Sequence, residues 1–193
     1  ISYNFFSVYI LIVFGVISIL EFLIISNKIF KKNIISYLIN ILFVSYIFFF
    51  CYFFYYFLNF LHLKIILFIL LFGCVGSDIG GFLAGKIFKG PRLTKISPNK
   101  TYSGVIGSIF FASLIVSILT FMFTNSFSYL ILFVALMTSV GCQIGDLFFS
   151  FLKRKAKIKD TGKLLPGHGG ILDRIDGMLL GIPVGFISLI VFN

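Results

Sequence analysis

Residues 34–58, IISYLINILFVSYIFFFCYFFYYFL, decide the fold class. The run contains no Asp, Glu, Lys or Arg. An α-helix needs roughly 20 predominantly apolar residues to cross the hydrocarbon core of a bilayer, and this run supplies them with only Ser36, Asn40 and Ser45 as small polar interruptions. Segments 5–26, 65–85, 103–123, 128–150 and 177–192 qualify or come close, and Leu172 and Ile175 can extend the last. None alternates with period two, as the strands of a membrane barrel do. The expected fold is therefore all-α: a polytopic integral membrane protein with about six transmembrane helices, residues 1–193 forming a single transmembrane domain.

Composition agrees. The chain has 193 residues, 60% hydrophobic and only 11% charged, with a mean hydropathy of +1.12. A soluble domain carries about 25% charged residues. The net charge of +10 is confined to short loops, so membrane topology explains it and no nucleic-acid partner is expected. Cys51, Cys74 and Cys142 lie in apolar stretches without CxxC spacing and read as small packing residues. Ile1 to Ser26 has no basic n-region and no small-residue cleavage site, so it reads as a first span rather than a signal peptide. The opening at Ile1, directly in apolar sequence, reads as an N-terminal truncation.

The basic loops set the orientation. Loop 27–33 carries Lys28, Lys31 and Lys32. Loop 86–102 carries Lys86, Lys89, Arg92, Lys95 and Lys100, and loop 151–176 carries the densest cluster. The intervening loops 59–64 and 124–127 carry only Lys64. Every second loop is basic, which places those loops on the cytoplasmic side.

Against this apolar background the carboxylates stand out. Asp78 lies eight residues before Lys86 and Asp146 seven before Lys153, roughly 10–12 Å inside a cytoplasmic helix end at the rise of an α-helix. An ionisable group in a span costs about 2.5–3.5 kcal/mol and normally faces protein or a polar cavity. One reading is an interhelical ion pair, with Lys153 or Arg174 as partner. Asp173 and Asp176 are three apart and share a helical face. They either cap the last helix or, with Asp146, supply oxygen ligands to a hard cation such as Mg²⁺. Glu21, near the cytoplasmic end of the first span, reads as structural, snorkelling or paired with Lys28.

The loop from Ser150 to Asp176, SFLKRKAKIKDTGKLLPGHGGILDRID, concentrates the polar chemistry. Pro166-Gly167-His168-Gly169-Gly170 cannot be regular helix, and its glycines let backbone N–H groups approach a ligand. With Lys153, Arg154, Lys159 and Arg174 beside it, the segment reads as a phosphate cradle, although it is not a P-loop. Ser97-Pro98-Asn99-Lys100-Thr101 adds a second basic, hydroxyl-bearing loop on the same side. Carboxylates and cations together point to metal-assisted chemistry on a polyphosphate.

At these residues the sequence resembles the phosphatidate cytidylyltransferases, or CDP-diacylglycerol synthases. Ser150, Lys153, Arg154, Lys159, Asp160, Gly162, Pro166, Gly167, His168, Gly169, Gly170, Asp173, Arg174 and Asp176 match that family's signature in register. Asp78 to Phe88 echoes a second block, and Ile96 to Gly104 matches a third. The resemblance covers about residues 70–190, and more loosely the Glu21-Phe22 pair. Phe149 stands where the family often has Glu, Gly177 where Ser is common, and Ser77 where Asn is common.

The resemblance implies transfer of cytidylyl from CTP to phosphatidate in phospholipid synthesis, at a Mg²⁺-dependent site with a second cation possible. It implies Asp146 and Asp173 as metal ligands. Asp146, Asp173, Asp176, Lys153 and His168 are the expected catalytic residues. Asp78, Ser97, Lys100, Thr101, Arg154, Lys159, Asp160, Gly167, Gly169, Gly170 and Arg174 are expected to bind substrate. Family members are commonly longer at the N-terminus and work as dimers, so a homodimer in a bacterial-type inner membrane is expected, with the active site on the cytoplasmic side.

Overall fold

A computed structural model describes residues 2–30, 33–94, 97, 100–162 and 169–192. Six α-helices follow one another: α1 (Ser2–Phe30), α2 (Ile34–Leu58), α3 (Leu61–Phe88), α4 (Tyr102–Thr124), α5 (Tyr129–Lys155) and α6 (Leu172–Val191). All six are long and apolar enough to cross a membrane. The chain is a polytopic integral membrane protein. Many large apolar side chains are exposed, among them Phe48, Phe82, Ile106 and Phe110. Lipid rather than a protein core is their natural environment, since intramembrane helices have no water to avoid on their outer faces.

The expected spans match in number, and α2 matches at both ends. The differences lie where charge was read as loop. Lys28 falls inside α1, His62 and Lys64 inside α3, and Lys153, Arg154 and Lys155 form the last turn of α5. At the C-termini of α1 and α5 cations are favoured by the exposed carbonyls and the macrodipole, so charge did not mark those helix ends. α5 closes with Lys157 in the left-handed region at φ 56°. Ile158 N donates to Lys153 O and Lys157 N to Arg154 O, both at 3.0 Å. This is the paired bonding that satisfies the last carbonyls of a helix.

The chain divides into two compact units, residues 1–63 with 151–175 and residues 64–150 with 176–193. The second unit is assembled on two seams of small residues. In α3 and α4, a Cβ added to Gly80 would sit 2.6 Å from Phe111 Cβ, and one added to Gly107 would sit 2.7 Å from Gly80 O. In α5 and α6, a Cβ on Gly141 would lie 3.0 Å from Gly181 Cα, and one on Gly145 would lie 2.6 Å from Asp176 O. Glycines spaced by four, 177, 181 and 185 in α6, let the backbones touch, as in membrane helix pairs generally. Ser77 and Ser139 share a hydrogen bond of 2.9 Å that ties α3 to α5. Cys74 and Cys142 are fully buried, the packing role expected of them.

The first unit holds α1, α2, the tail of α5, the polar loop and the head of α6. Phe22 of α1 stacks on Phe43 of α2 with centroids 3.7 Å apart. Ser26 and Ser36 approach to 3.3 Å near the turn between the same helices. Among the described residues, Glu21 of α1 accepts hydrogen bonds from the polar loop and the first residue of α6.

Candidate active site

The expected site residues fall into two clusters, one in each unit. Lys153, Arg154, Lys159, Asp160, Gly169, Gly170, Asp173 and Arg174 belong to the first unit, and Asp78, Ser97, Lys100, Thr101, Asp146 and Asp176 to the second. Gly167 and His168 lie outside the described residues.

In the first unit Asp173, in the opening turn of α6, gathers donors from three directions. Lys153 Nζ donates to Asp173 Oδ1 at 2.7 Å. Thr161 N and Gly170 N donate to Oδ2 at 2.8 and 3.0 Å, and the Thr161 hydroxyl stands 3.0 Å from the same oxygen. The ion pair with Lys153 is largely shielded from solvent. Gly169 adopts φ +82°, and a Cβ there would sit 2.9 Å from Asp173 Oδ2. A side chain at 169 would therefore be strained and crowd the carboxylate. Arg154, Lys159, Asp160 and Arg174 are exposed at the rim.

Glu21 departs from expectation. It is 2% exposed, and its partners are not Lys28 but the loop. Oε1 accepts from Ile171 N at 3.0 Å, and Oε2 accepts from Leu172 N at 2.8 Å and the Thr161 hydroxyl at 2.7 Å. The first N–H groups of a helix have no intrahelical acceptor. Here a carboxylate from another span supplies it, at the end of the helix that favours negative charge.

In the second unit the centre is Asp146 of α5. It pairs with Lys100, a partner the sequence did not suggest, while Lys153 pairs with Asp173. Ser150 Oγ, one turn on, donates to Asp146 Oδ1 at 3.3 Å. Lys100 is placed by a short turn. Leu93 N donates to Lys100 O at 2.7 Å, Lys100 N to Ser97 O at 3.1 Å, and Arg92 and Thr101 form a bridge. Thr101 caps α4, its hydroxyl accepting from Gly104 N at 3.1 Å. Asp78 lies within Coulombic range of both Asp146 and Lys100. Its side chain is exposed on α3 rather than enclosed by protein. Asp176 is buried, and its Oδ1 accepts from Gly177 N at 2.8 Å.

Both aspartates expected to hold Mg²⁺ suit a hard cation in their donor chemistry. Each carboxylate oxygen offers two lone pairs. The bonds just given to Asp173 Oδ1 and to each oxygen of Asp146 use one apiece. Among the described residues no three His, Cys, Asp or Glu side chains group as a ready-made metal cage. Mg²⁺ typically takes one or two carboxylates and completes its shell with water and substrate phosphates.

Comparison with known proteins finds named relatives. A phosphatidate cytidylyltransferase of Helicobacter pylori is 41% identical over 123 residues, covering 64% of this chain and 46% of that protein. One from Rickettsia felis is 39% identical over 130 residues, covering 61% and 56%. One from Mycobacterium leprae is 42% identical over 127 residues, covering 63% and 39%. The matched part thus spans about half the length of these relatives. The profile of the cytidylyltransferase family matches residues 2–192, and the chain belongs to that family.

Proposed function

We propose that this chain carries the reaction centre of an enzyme that transfers cytidylyl from CTP to phosphatidate. An oxygen of the phosphatidate phosphate attacks the α-phosphorus of CTP. The bond from that phosphorus to the bridging oxygen breaks, and pyrophosphate leaves with CDP-diacylglycerol as the lipid product. Both reactants are anions, so neutralising their charge dominates the barrier. The observation that carries the reading is that each key aspartate already holds a lysine within its own unit, Lys153 on Asp173 and Lys100 on Asp146. Each cluster thus sets a cation suited to phosphate beside carboxylate oxygens suited to a metal.

Asp146 and Asp173, each in its own unit, are the proposed Mg²⁺ ligands, and bound metal would supply charge shielding for the phosphates. Lys153, Lys159, Arg154 and Arg174 neutralise the triphosphate, and Lys100 neutralises phosphate in its own cluster. Asp176, buried beside the glycine seam of α6, holds the head of that helix. His168 is assigned to phosphate contact or proton transfer. The phosphatidate phosphate is largely ionised at neutral pH, so no general base is needed. CTP reaches the site from the cytoplasm and phosphatidate from the bilayer of a bacterial-type inner membrane, in an enzyme we take to be a homodimer that binds no nucleic acid.

The test is product formation by purified full-length protein given CTP, phosphatidate and Mg²⁺. Label at the α-phosphate of CTP is expected in the lipid. Transfer of γ-label instead would make the protein a lipid kinase and overturn the reading, as would absence of any transfer.

A further inference from the structure

Glu21 is a buried carboxylate with no cation among the partners described above. Burying a charge is costly unless hydrogen bonds compensate it, and a Ser or Asp just before α6 would cap that helix without this cost. What Glu21 adds is a connection. The Thr161 hydroxyl, itself 3% exposed, lies 2.7 Å from Glu21 Oε2 and 3.0 Å from Asp173 Oδ2. A hydroxyl has one proton to donate. The shorter contact assigns it to Glu21, and what Thr161 then gives Asp173 is its backbone N–H, which donates to Oδ2 at 2.8 Å. Were the proton turned to Asp173, Glu21 would lose a donor. The loop is also shaped around this carboxylate: a Cβ on Gly162 would come within 3.0 Å of Glu21 Cδ, and one on Gly170 within 2.6 Å.

Resting on the proposed cytidylyl transfer, we propose that Glu21 and Thr161 are positioning residues for Asp173. Glu21 fixes the Thr161 hydroxyl and the first N–H groups of α6. Thr161, held by that hydroxyl, in turn fixes through its backbone N–H the oxygen of Asp173 that does not carry Lys153, so that Oδ1 is presented to a cation in one orientation. Neither residue touches substrate. Their loss acts through the metal affinity of Asp173, and groups that orient a metal ligand typically change that affinity 10- to 100-fold.

The experiment uses full-length protein in detergent, with Mn²⁺ as a paramagnetic probe titrated by EPR in parallel with CDP-diacylglycerol formation. Thr161→Val should weaken Mn²⁺ binding about tenfold or more, raise the Mg²⁺ concentration for half-maximal turnover in step, and leave the KM for CTP at saturating Mg²⁺ nearly unchanged. Thr161→Ser keeps the hydroxyl and should restore both readouts. Glu21→Gln places an amide NH₂ against backbone donors and should resemble Thr161→Val or fail to fold, in which case the Thr161 pair decides. Normal Mn²⁺ affinity in a folded Thr161→Val, or equal losses in Val and Ser, would overturn the proposal. A wild-type protein that binds Mn²⁺ but forms no CDP-diacylglycerol would overturn the cytidylyl-transfer reading, while the Mn²⁺ titrations would still decide the roles of Glu21 and Thr161.

Discussion

The two units build the same motif, an aspartate paired with a lysine, in different ways. Asp173 is held by Lys153 and two backbone N–H groups, one of them from Thr161, whose hydroxyl is anchored by Glu21. Asp146 has Lys100 and the hydroxyl of Ser150, and its pair is more open to solvent. One carboxylate is oriented before any ligand arrives; the other has room to turn. The proposed displacement, which would accept two large anions and then release a nucleotide lipid, has use for both, a fixed reference and an adjustable partner.

The largest effects should come from the carboxylates. Asp146→Asn and Asp173→Asn are each expected to abolish turnover, measured as CDP-diacylglycerol formed from CTP and phosphatidate. The two should part company in stability. Asp173→Asn turns an NH₂ toward existing donors and should lower the unfolding midpoint in detergent, whereas Asp146→Asn should leave it nearly unchanged. Equal midpoints would erase the contrast between a fixed and an adjustable carboxylate. Substantial Mg²⁺-dependent turnover in either variant would remove that residue from the proposed ligand set.

Their lysines sharpen the same contrast. Removing one partner of a mostly buried ion pair destabilises by about 3–5 kcal/mol, while a solvent-accessible pair contributes about 0–1 kcal/mol. Lys153→Met should therefore destabilise strongly and Lys100→Met weakly, by chemical or thermal unfolding in detergent, although both should slow turnover. The reverse order of stabilities would mean that Asp146 is the better-anchored group.

A smaller effect is expected among the exposed cations. Lys159→Ala should lower kcat/KM for CTP about ten- to hundredfold, the value of a charge-assisted contact to phosphate. Lys31→Ala, in the loop read only as an orientation signal, should leave kinetics unchanged. Similar small losses at both positions would mean that Lys159 also serves topology and that the phosphate cradle is mistaken. Cysteine labelling that put residues 30 and 95 on opposite membrane faces would break the shared-side reading of these loops.

Much of this was legible in the sequence, for reasons tied to particular residues. α2 could be bounded because its charge-free run follows Lys31, Lys32 and Asn33 and ends at Asn59. The polar chemistry was visible because ionisable residues in an apolar chain are costly and few. α5 was expected to stop at residue 150 because Lys153, Arg154 and Lys155 looked like loop, when they complement the helix end. The glycine seam of α6 was in plain view as a repeat of four at 177, 181 and 185, yet only its partners in α5 show what it does. Glu21 was harder. Its acceptors' donors lie 140 to 151 residues away in the chain, and no periodicity or spacing encodes a loop docking onto a distant helix. For the same reason Lys100, and not Lys153, could not be picked out as the partner of Asp146.

The smallest effect tests whether the fixed cluster depends on the end of α5. Lys157 holds a left-handed conformation, φ 56°, while the two bonds after it tie off the carbonyls of Lys153 and Arg154. That conformation costs a residue with a Cβ about 1–2 kcal/mol. Glycine avoids it but gives back about 0.4–1 kcal/mol through the greater freedom of its unfolded chain. Lys157→Gly should therefore stabilise by about 0.5–1 kcal/mol, read as a raised unfolding midpoint in detergent, with kcat and KM unchanged because the side chain is exposed and assigned no substrate contact. Lys153 sits four residues earlier in the same terminal turn, so a firmer helix end should preserve its bond to Asp173. A lowered midpoint would show that the Lys157 side chain, and not its backbone, holds the turn. An unchanged midpoint with altered kcat would place Lys157 among the residues that tune Asp173, making the fixed cluster wider than the contacts of Lys153, Thr161, Gly170 and Glu21 describe.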